Sequence, residues 1–206
     1  MSGAFPISSA KFETMGIKSI QTTIISHSDS GKRLARQVDG QRWGFSISII
    51  TSTRSSVYGE LMAFIVKQRS GKETFTIIPP EIEDARGNET GTILVNGVHA
   101  VGDTTIAMDA FAGDGAGRFK AGDFLKFASH NKVYMVVSDA TSSSNAATVT
   151  IEPPLITALA DDSAVTYDNV PFTVYLTSDL QEFGVGGADK DGNLLYKYEL
   201  DVEEAL

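Results

Sequence analysis

The sequence predicts a mainly β protein in which a sheet domain carrying one helix is interrupted by a small inserted barrel. Three observations point there. Apolar residues alternate with period two near both ends of the chain, one segment between Ser55 and Arg69 has the helical period instead, and short strand-like runs separated by turn residues fill the middle.

Ile17–His27 (IKSIQTTIISH) alternates loosely and is rich in β-branched residues, which predicts a strand, and Ser28–Gly31 (SDSG) a turn. In QRWGFSISII, Trp43, Phe45, Ile47 and Ile49 share one face while Gly44, Ser46 and Ser48 share the other, a strand with one buried side. Trp43, opening that strand, is expected in the core. The period then changes: Val57, Leu61, Phe64 and Ile65 fall on one helical face, with Glu60, Lys67 and Arg69 away from it. Ser55 or Ser56 is placed to cap this helix, and Gly71 to end it in a left-handed conformation. Phe75 and Ile77 alternate with Thr74 and Thr76 in a further strand, which Pro79 and Pro80 stop because neither can donate to a sheet ladder.

Beyond Pro80 a polar linker (EDARGNETG) leads into five short runs: TILVNGVH, TTIAMDA, DFLKFAS, KVYMVVSDA and ATVTIEPP. Asn96-Gly97, Gly102-Asp103, the GDGAG run, Gly122-Asp123 and TSSSN punctuate them. Such spacing predicts a small, partly closed barrel, because closure removes exposed edges without a large core. After Tyr167 the strands lengthen again, with Phe172, Val174 and Leu176 on one face, then Leu194, Tyr196, Tyr198, Leu200 and Val202. Two strands are not stable alone, so they are expected to return to the sheet begun by Trp43–Ile49 and Phe75–Ile77. The predicted division is therefore 1–82 plus 167–206 for the sheet domain and 83–166 for the insertion.

The 206 residues contain no cysteine, which excludes disulfides, thiolate metal sites and a thiol nucleophile. The amino end has no apolar stretch of signal-peptide length, so a soluble protein that no readable signal exports is expected. The net charge of −9 is unevenly spread: residues 1–79 hold ten Lys/Arg against five Asp/Glu, residues 80–206 seven against twenty-one. Specific nucleic-acid binding is not expected of so acidic a chain, whereas opposite poles suit recognition between copies.

Several stretches imitate chemical motifs. SHSDSGK sets Ser, His and Asp side by side, but consecutive residues in a turn point apart and no nucleophile elbow is present. Neither Gly31-Lys32 nor Gly71-Lys72 is a phosphate loop: Ser26 and Val66 stand where the first glycine belongs, and Arg33 and Glu73 where Ser or Thr belongs. ADKDGN resembles the start of a calcium loop, yet Gly192 precedes the third ligand position, and a hairpin turn is expected. His27, His99 and His130 share no ligand spacing, and His130, in HNK, is expected in solvent. No catalytic residue, cofactor or metal is predicted.

The order of these parts resembles the distal tail protein family of long-tailed bacteriophages, in its short form. QRWGFSISI leading to YGELMAFIVKQRSGKETFTIIPP, then FKAGDFLKFASHNKVYMVV, then VPFTVYLTSDLQEFGV with YKYELDVEEAL, carry the resemblance; residues 1–16 do not contribute. It implies a tail-tube-like β-sandwich with one flanking helix and an inserted barrel of the oligonucleotide/oligosaccharide-binding (OB) type. It also implies a structural, non-enzymatic virion protein at the distal end of the tail. There a hexameric ring would join the tail tube protein to the hub or tip protein, keep a channel open for DNA, and hold fibres through the barrel, without entering a membrane. Opposite charge on two parts of one domain can form such a ring, with Arg33, Arg36 and Arg42 on one side and Asp201, Glu203 and Glu204 on the other. The alternatives are another tail component (tube completion, neck or minor tail protein), a carbohydrate-binding module, which would expose barrel aromatics, and a wall hydrolase, which needs two facing carboxylates.

Overall fold

The computed structural model describes residues 3–6, 11–38, 40–80 and 82–206. The chain is mainly β. β1 (Phe12–Ile20), β2 (Thr23–His27), β3 (Arg33–Gln37) and the long β4 (Arg42–Thr53) come first. A wide helical turn, Arg54–Tyr58, leads into α1 (Gly59–Lys67), and β5 (Phe75–Ile77) follows. The middle holds β6 (Leu94–Val95), β7 (Thr105–Asp109), β8 (Gly115–Phe119), β9 (Phe124–Phe127), β10 (Val133–Val136), β11 (Ala140–Ser142), β12 (Ala147–Glu152) and β13 (Val165–Thr166). The last strands are β14 (Phe172–Leu176), β15 (Gly184–Ala188) and β16 (Leu194–Glu204).

The alternation of β4 organises the first sheet, which runs β1–β4–β16–β14–β5 with β15 also paired to β16. Phe45 lies between Ile17 and Val202, and Ile47 between Met15 and Leu200, which makes one face apolar. On the other face Ser46 lies between Gly16 and Asp201, and Ser48 between Thr14 and Glu199. A one-residue slip would exchange the faces, so this pattern fixes the register. Leu61 and Ile65 of α1, with Val57 and Tyr58 of the wide turn, are buried in the core on the apolar face. The helix supplies that layer; β2 and β3 pair with each other in a sheet of their own.

Both helix ends differ from expectation. No side chain caps the start; instead the Gly59 N–H reaches back five residues to the Arg54 carbonyl, so the wide turn occupies the capping position. At the other end Arg69 and Ser70 take the left-handed conformation (φ 54° and 62°), not Gly71. Gly71 serves close approach, since a β-carbon there would stand 2.6 Å from the Leu176 carbonyl oxygen.

The middle segment leaves from β5 and returns to β14, which are antiparallel neighbours with Ile77 opposite Phe172. Its two ends are tied together by Asn169 N–H to the Glu83 carbonyl (2.5 Å) and Ala85 N–H to Asp168 Oδ1 (3.0 Å). Its main sheet runs β13–β9–β10–β12–β7–β6. Val95 N–H to Ser163 O (3.0 Å) and Val165 N–H to Ile93 O (3.1 Å) then link the end strands, leaving a nearly closed barrel. Met108, Phe119, Leu125, Phe127, Tyr134 and Ile151 fill it, each 0% exposed. The GDGAG run, read above as a turn, supplies the start of β8, which pairs with β11 beside the barrel.

His130 is not in solvent. It is buried, its Nδ1 lies 2.8 Å from the Tyr134 hydroxyl, and its ring meets Phe127 edge-on. The Tyr134 oxygen also accepts the Ile156 N–H at 3.3 Å. Burial pushes the imidazole below its ordinary value, opposed by the Ala158 backbone, and pushes the Tyr134 phenol up to about 12. A histidine held below its ordinary value contributes stability that is present above that value and lost as pH falls through the folded one. Thermal unfolding should therefore show the unmodified chain losing stability relative to His130→Gln once pH falls below about 6.5. Parallel curves for the two proteins would contradict this role.

Candidate functional site

The barrel meets the sheet at the end of β16. Tyr198, Leu200 and Val202 point into the core, and Glu204 follows in phase on the same face. Its carboxylate collects three donors from two parts of the molecule: Trp43 N–H to Oε2 (3.1 Å), Val133 N–H to Oε1 (2.6 Å) and Lys132 Nζ to Oε2 (2.5 Å). Both charged side chains of this ion pair are 0% exposed. The Trp43 indole N–H donates to the Val133 carbonyl (2.9 Å), and Lys132 Nζ stands 5.6 Å from the indole centroid. The same indole meets Phe124 edge-on at 5.2 Å, and Phe124 meets Phe172 at 5.6 Å. Lys126 adds a second tie from the barrel, donating to the Pro171 carbonyl (2.8 Å) and Thr173 Oγ1 (3.3 Å). Phe124 and Val133 of the barrel thus belong to the core of the sheet domain.

Removing two charges from water is costly unless each satisfies the other. Burial pushes the Lys132 ammonium down, and the charge and hydrogen bond of Glu204 oppose it; Lys126 is balanced in the same sense. The sequence held one sign of this arrangement. Glu204 lies in phase with the apolar residues of its strand, and a carboxylate at a buried-face position needs a partner.

The residues predicted for a ring interface are not gathered into one cluster. Arg33 and Arg36 stand exposed on β3, and Arg42 opens β4, partly buried. Asp201 lies on the open polar face, accepting from the Ser46 hydroxyl and from Lys18 Nζ (3.0 Å), which hold its carboxyl below its ordinary value. Glu203 accepts the Tyr175 hydroxyl at 3.1 Å. Glu204 is a correction: its carboxylate is engaged inside the chain and offers no surface charge.

Two shallow grooves of about 400 and about 360 Å³ cross the polar face and share Lys197, Glu199 and Asp201. The motif-like stretches have structural uses. Ser28 closes the β2–β3 turn by accepting the Lys32 N–H, and the Asp189 carboxylate accepts the N–H groups of Asp191 and Asn193 in the β15–β16 turn. The barrel aromatics Phe111, Phe119, Phe124, Phe127 and Tyr134 are all buried, so they offer no stacking platform for a sugar. Among the described residues no group of His, Asp and Glu is arranged to hold a metal, and no helix is long and apolar enough to cross a membrane.

Removing one partner of the buried pair leaves an uncompensated charge. Lys132→Met is expected to lower the unfolding free energy by about 3–5 kcal/mol in urea titration, and Lys132→Met with Glu204→Gln to recover much of it. Equal losses in the single and double variants would show that the pair is not the linkage.

Comparison with curated proteins gives no match. Residues 82–170 match the family model described as distal tail protein pb9, B domain. The match begins after Pro80 and ends before Pro171, so the segment inserted between β5 and β14 is, as a unit, similar to a domain of a distal tail protein.

Proposed function

We propose that this chain is a structural component of a phage virion, the distal ring that joins the tail tube to the tail tip. The observation that carries the proposal is the coincidence just described: the part similar to a distal tail protein domain is the whole excursion between two neighbouring strands. Residues 83–166 are then an OB-type insertion, and 1–82 with 167–206 the tube-like part, in which β2–β3 supplements the main sheet. The resemblance to distal tail proteins implies a ring of six copies, with the tail tube protein on one side and the hub or tip protein on the other. The junction at Glu204 would hold each barrel at a fixed angle to its sheet, as an attachment point for fibres requires.

The open polar face suits a channel wall. Glu13, Glu199 and Asp201 face Lys18 and Lys197 there, the lysines lying 3.0 and 2.9 Å from Asp201 and Glu199, so the face keeps a small excess of negative charge, which disfavours holding phosphate. No acid–base pair is singled out on that face, and the proposed role is mechanical rather than catalytic.

Antibodies against this chain, applied with gold to tailed particles from the producing host, test the reading by electron microscopy. Label at the tail tip is expected. Label at the neck would contradict the distal placement, and unlabelled particles whose epitope is accessible would overturn the tail reading.

A further inference from the structure

We infer that one outward face of the barrel, built by residues 98–101 and 154–160, is a docking surface for a second polypeptide, different from this chain, that presents apolar side chains flanked by Lys or Arg. The inference rests on the tail reading above, in which the barrel carries attached parts, and names the surface and the chemistry it takes. His99 and Leu159 exchange both backbone hydrogen bonds (3.1 and 3.0 Å), so the chain after β6 and the chain after β12 run antiparallel there. Leu159 is buried, and His99 turns inward, its Nε2 accepting the Ala107 N–H at 3.2 Å.

Their neighbours therefore point outward, Val98 and Ala100 on one segment, Ala158 and Ala160 on the other. Exposure alternates along the second segment: Pro154, Ile156, Ala158 and Ala160 are exposed, Pro153, Leu155 and Leu159 buried. Val98 is 78% exposed, Val101 63% and Ile156 38%. A solvated sheet face ordinarily turns polar residues outward, yet these outward positions are apolar. Exposed apolar residues standing singly are ordinary, whereas a contiguous group with a polar rim marks an interaction site. The surface is also held in place. The Tyr134 oxygen accepts the Ile156 N–H, Asp103 Oδ2 the Ala100 N–H (2.9 Å) and Asp161 Oδ1 the Gly97 N–H (2.6 Å). Docking on it needs little ordering of this chain.

Charge selects the occupant. Glu152, Asp161 and Asp162 are exposed at the two ends of the second segment, and Asp103 follows the first, 3.6 Å from His99 Nδ1. Neither 87–117 nor 133–189 contains a Lys or Arg, so the stretches that build this surface bring no such base to neutralise it. An acidic rim repels nucleic acid and anionic lipid, and the buried barrel aromatics offer a sugar nothing to stack on. The same face of a second copy would set acid against acid. A polypeptide with an apolar strip between basic side chains matches both the surface and its rim.

The absence of cysteine from the sequence makes the test clean. Full-length chains carrying Ala158→Cys, on this face, or Ser143→Cys, in the exposed turn between β11 and β12, are treated with a maleimide in isolation and in tailed particles. Ala158→Cys is expected to react at least about tenfold more slowly in particles than alone, and Ser143→Cys equally in both. Adding Glu152→Arg and Asp162→Arg, which leave the Asp161 and Asp103 hydrogen bonds intact, should restore the reactivity of Ala158→Cys in particles. Equal reactivity of Ala158→Cys in both settings, or protection that survives the two arginines, would overturn the docking. A carbodiimide product joining Asp161 or Asp162 to a lysine of another copy of this chain would overturn the choice of partner. If the docking failed while gold label stayed at the tail tip, the tail reading would stand; label at the neck or none would overturn that reading itself.

Discussion

The structure depends on one buried ion pair placed where two folding units touch. Glu204 sits at an inward-facing position of β16, and Lys132 reaches it from the barrel, with neither side chain exposed. Apolar packing of the same volume would often serve stability as well or better. An ion pair adds direction. The carboxylate must receive Lys132, the Val133 N–H and the Trp43 N–H together, and only a narrow range of barrel orientations allows all three. Trp43 secures the same geometry from the other side, donating to the Val133 carbonyl while its ring rests on Phe124. We read this as orientation fixed by polar contacts inside an apolar seal.

The insertion point makes such a lock possible. Because β5 and β14 are neighbours, the chain can leave and return without disturbing the strand order, and both ends of the barrel begin at the same place. The tie between Glu83 and Asn169 closes the neck, and Lys126 braces it against Pro171 and Thr173. The sheet keeps one face for its core and leaves the other polar. A chain built this way holds its barrel against the sheet and leaves one sheet face polar, which suits the tail role proposed above.

Much of this was legible in the sequence because it rests on periodicity. The alternation of Trp43, Phe45, Ile47 and Ile49 gave the central strand and its buried face, and the proline pair after Ile78 marked the exit of the chain. Where local signals compete with tertiary ones the reading failed. Gly71 has the composition of a left-handed stop, but its place against Leu176 is decided by packing, and Arg69 and Ser70 take the turn. His130 lies in a polar triplet and looked solvated, yet Tyr134, four residues on, draws it inward. Glu204 was grouped with Asp201 and Glu203 by charge alone, although its phase along the strand sets it apart. The β3 strand and β15 were invisible because neither buries a face that would impose a pattern.

The central claim, that barrel and sheet are locked as one body through Glu204, is tested most directly by hydrogen exchange at the Val133 amide. That group belongs to the barrel but donates to a carboxylate of the sheet. If the lock holds, it should exchange as slowly as the Phe45 and Ile47 amides of β4, through global unfolding alone. Exchange much faster than that of both the β4 amides and the barrel strands β9 and β12 would mean that the two units part while each stays folded, and the account would be wrong.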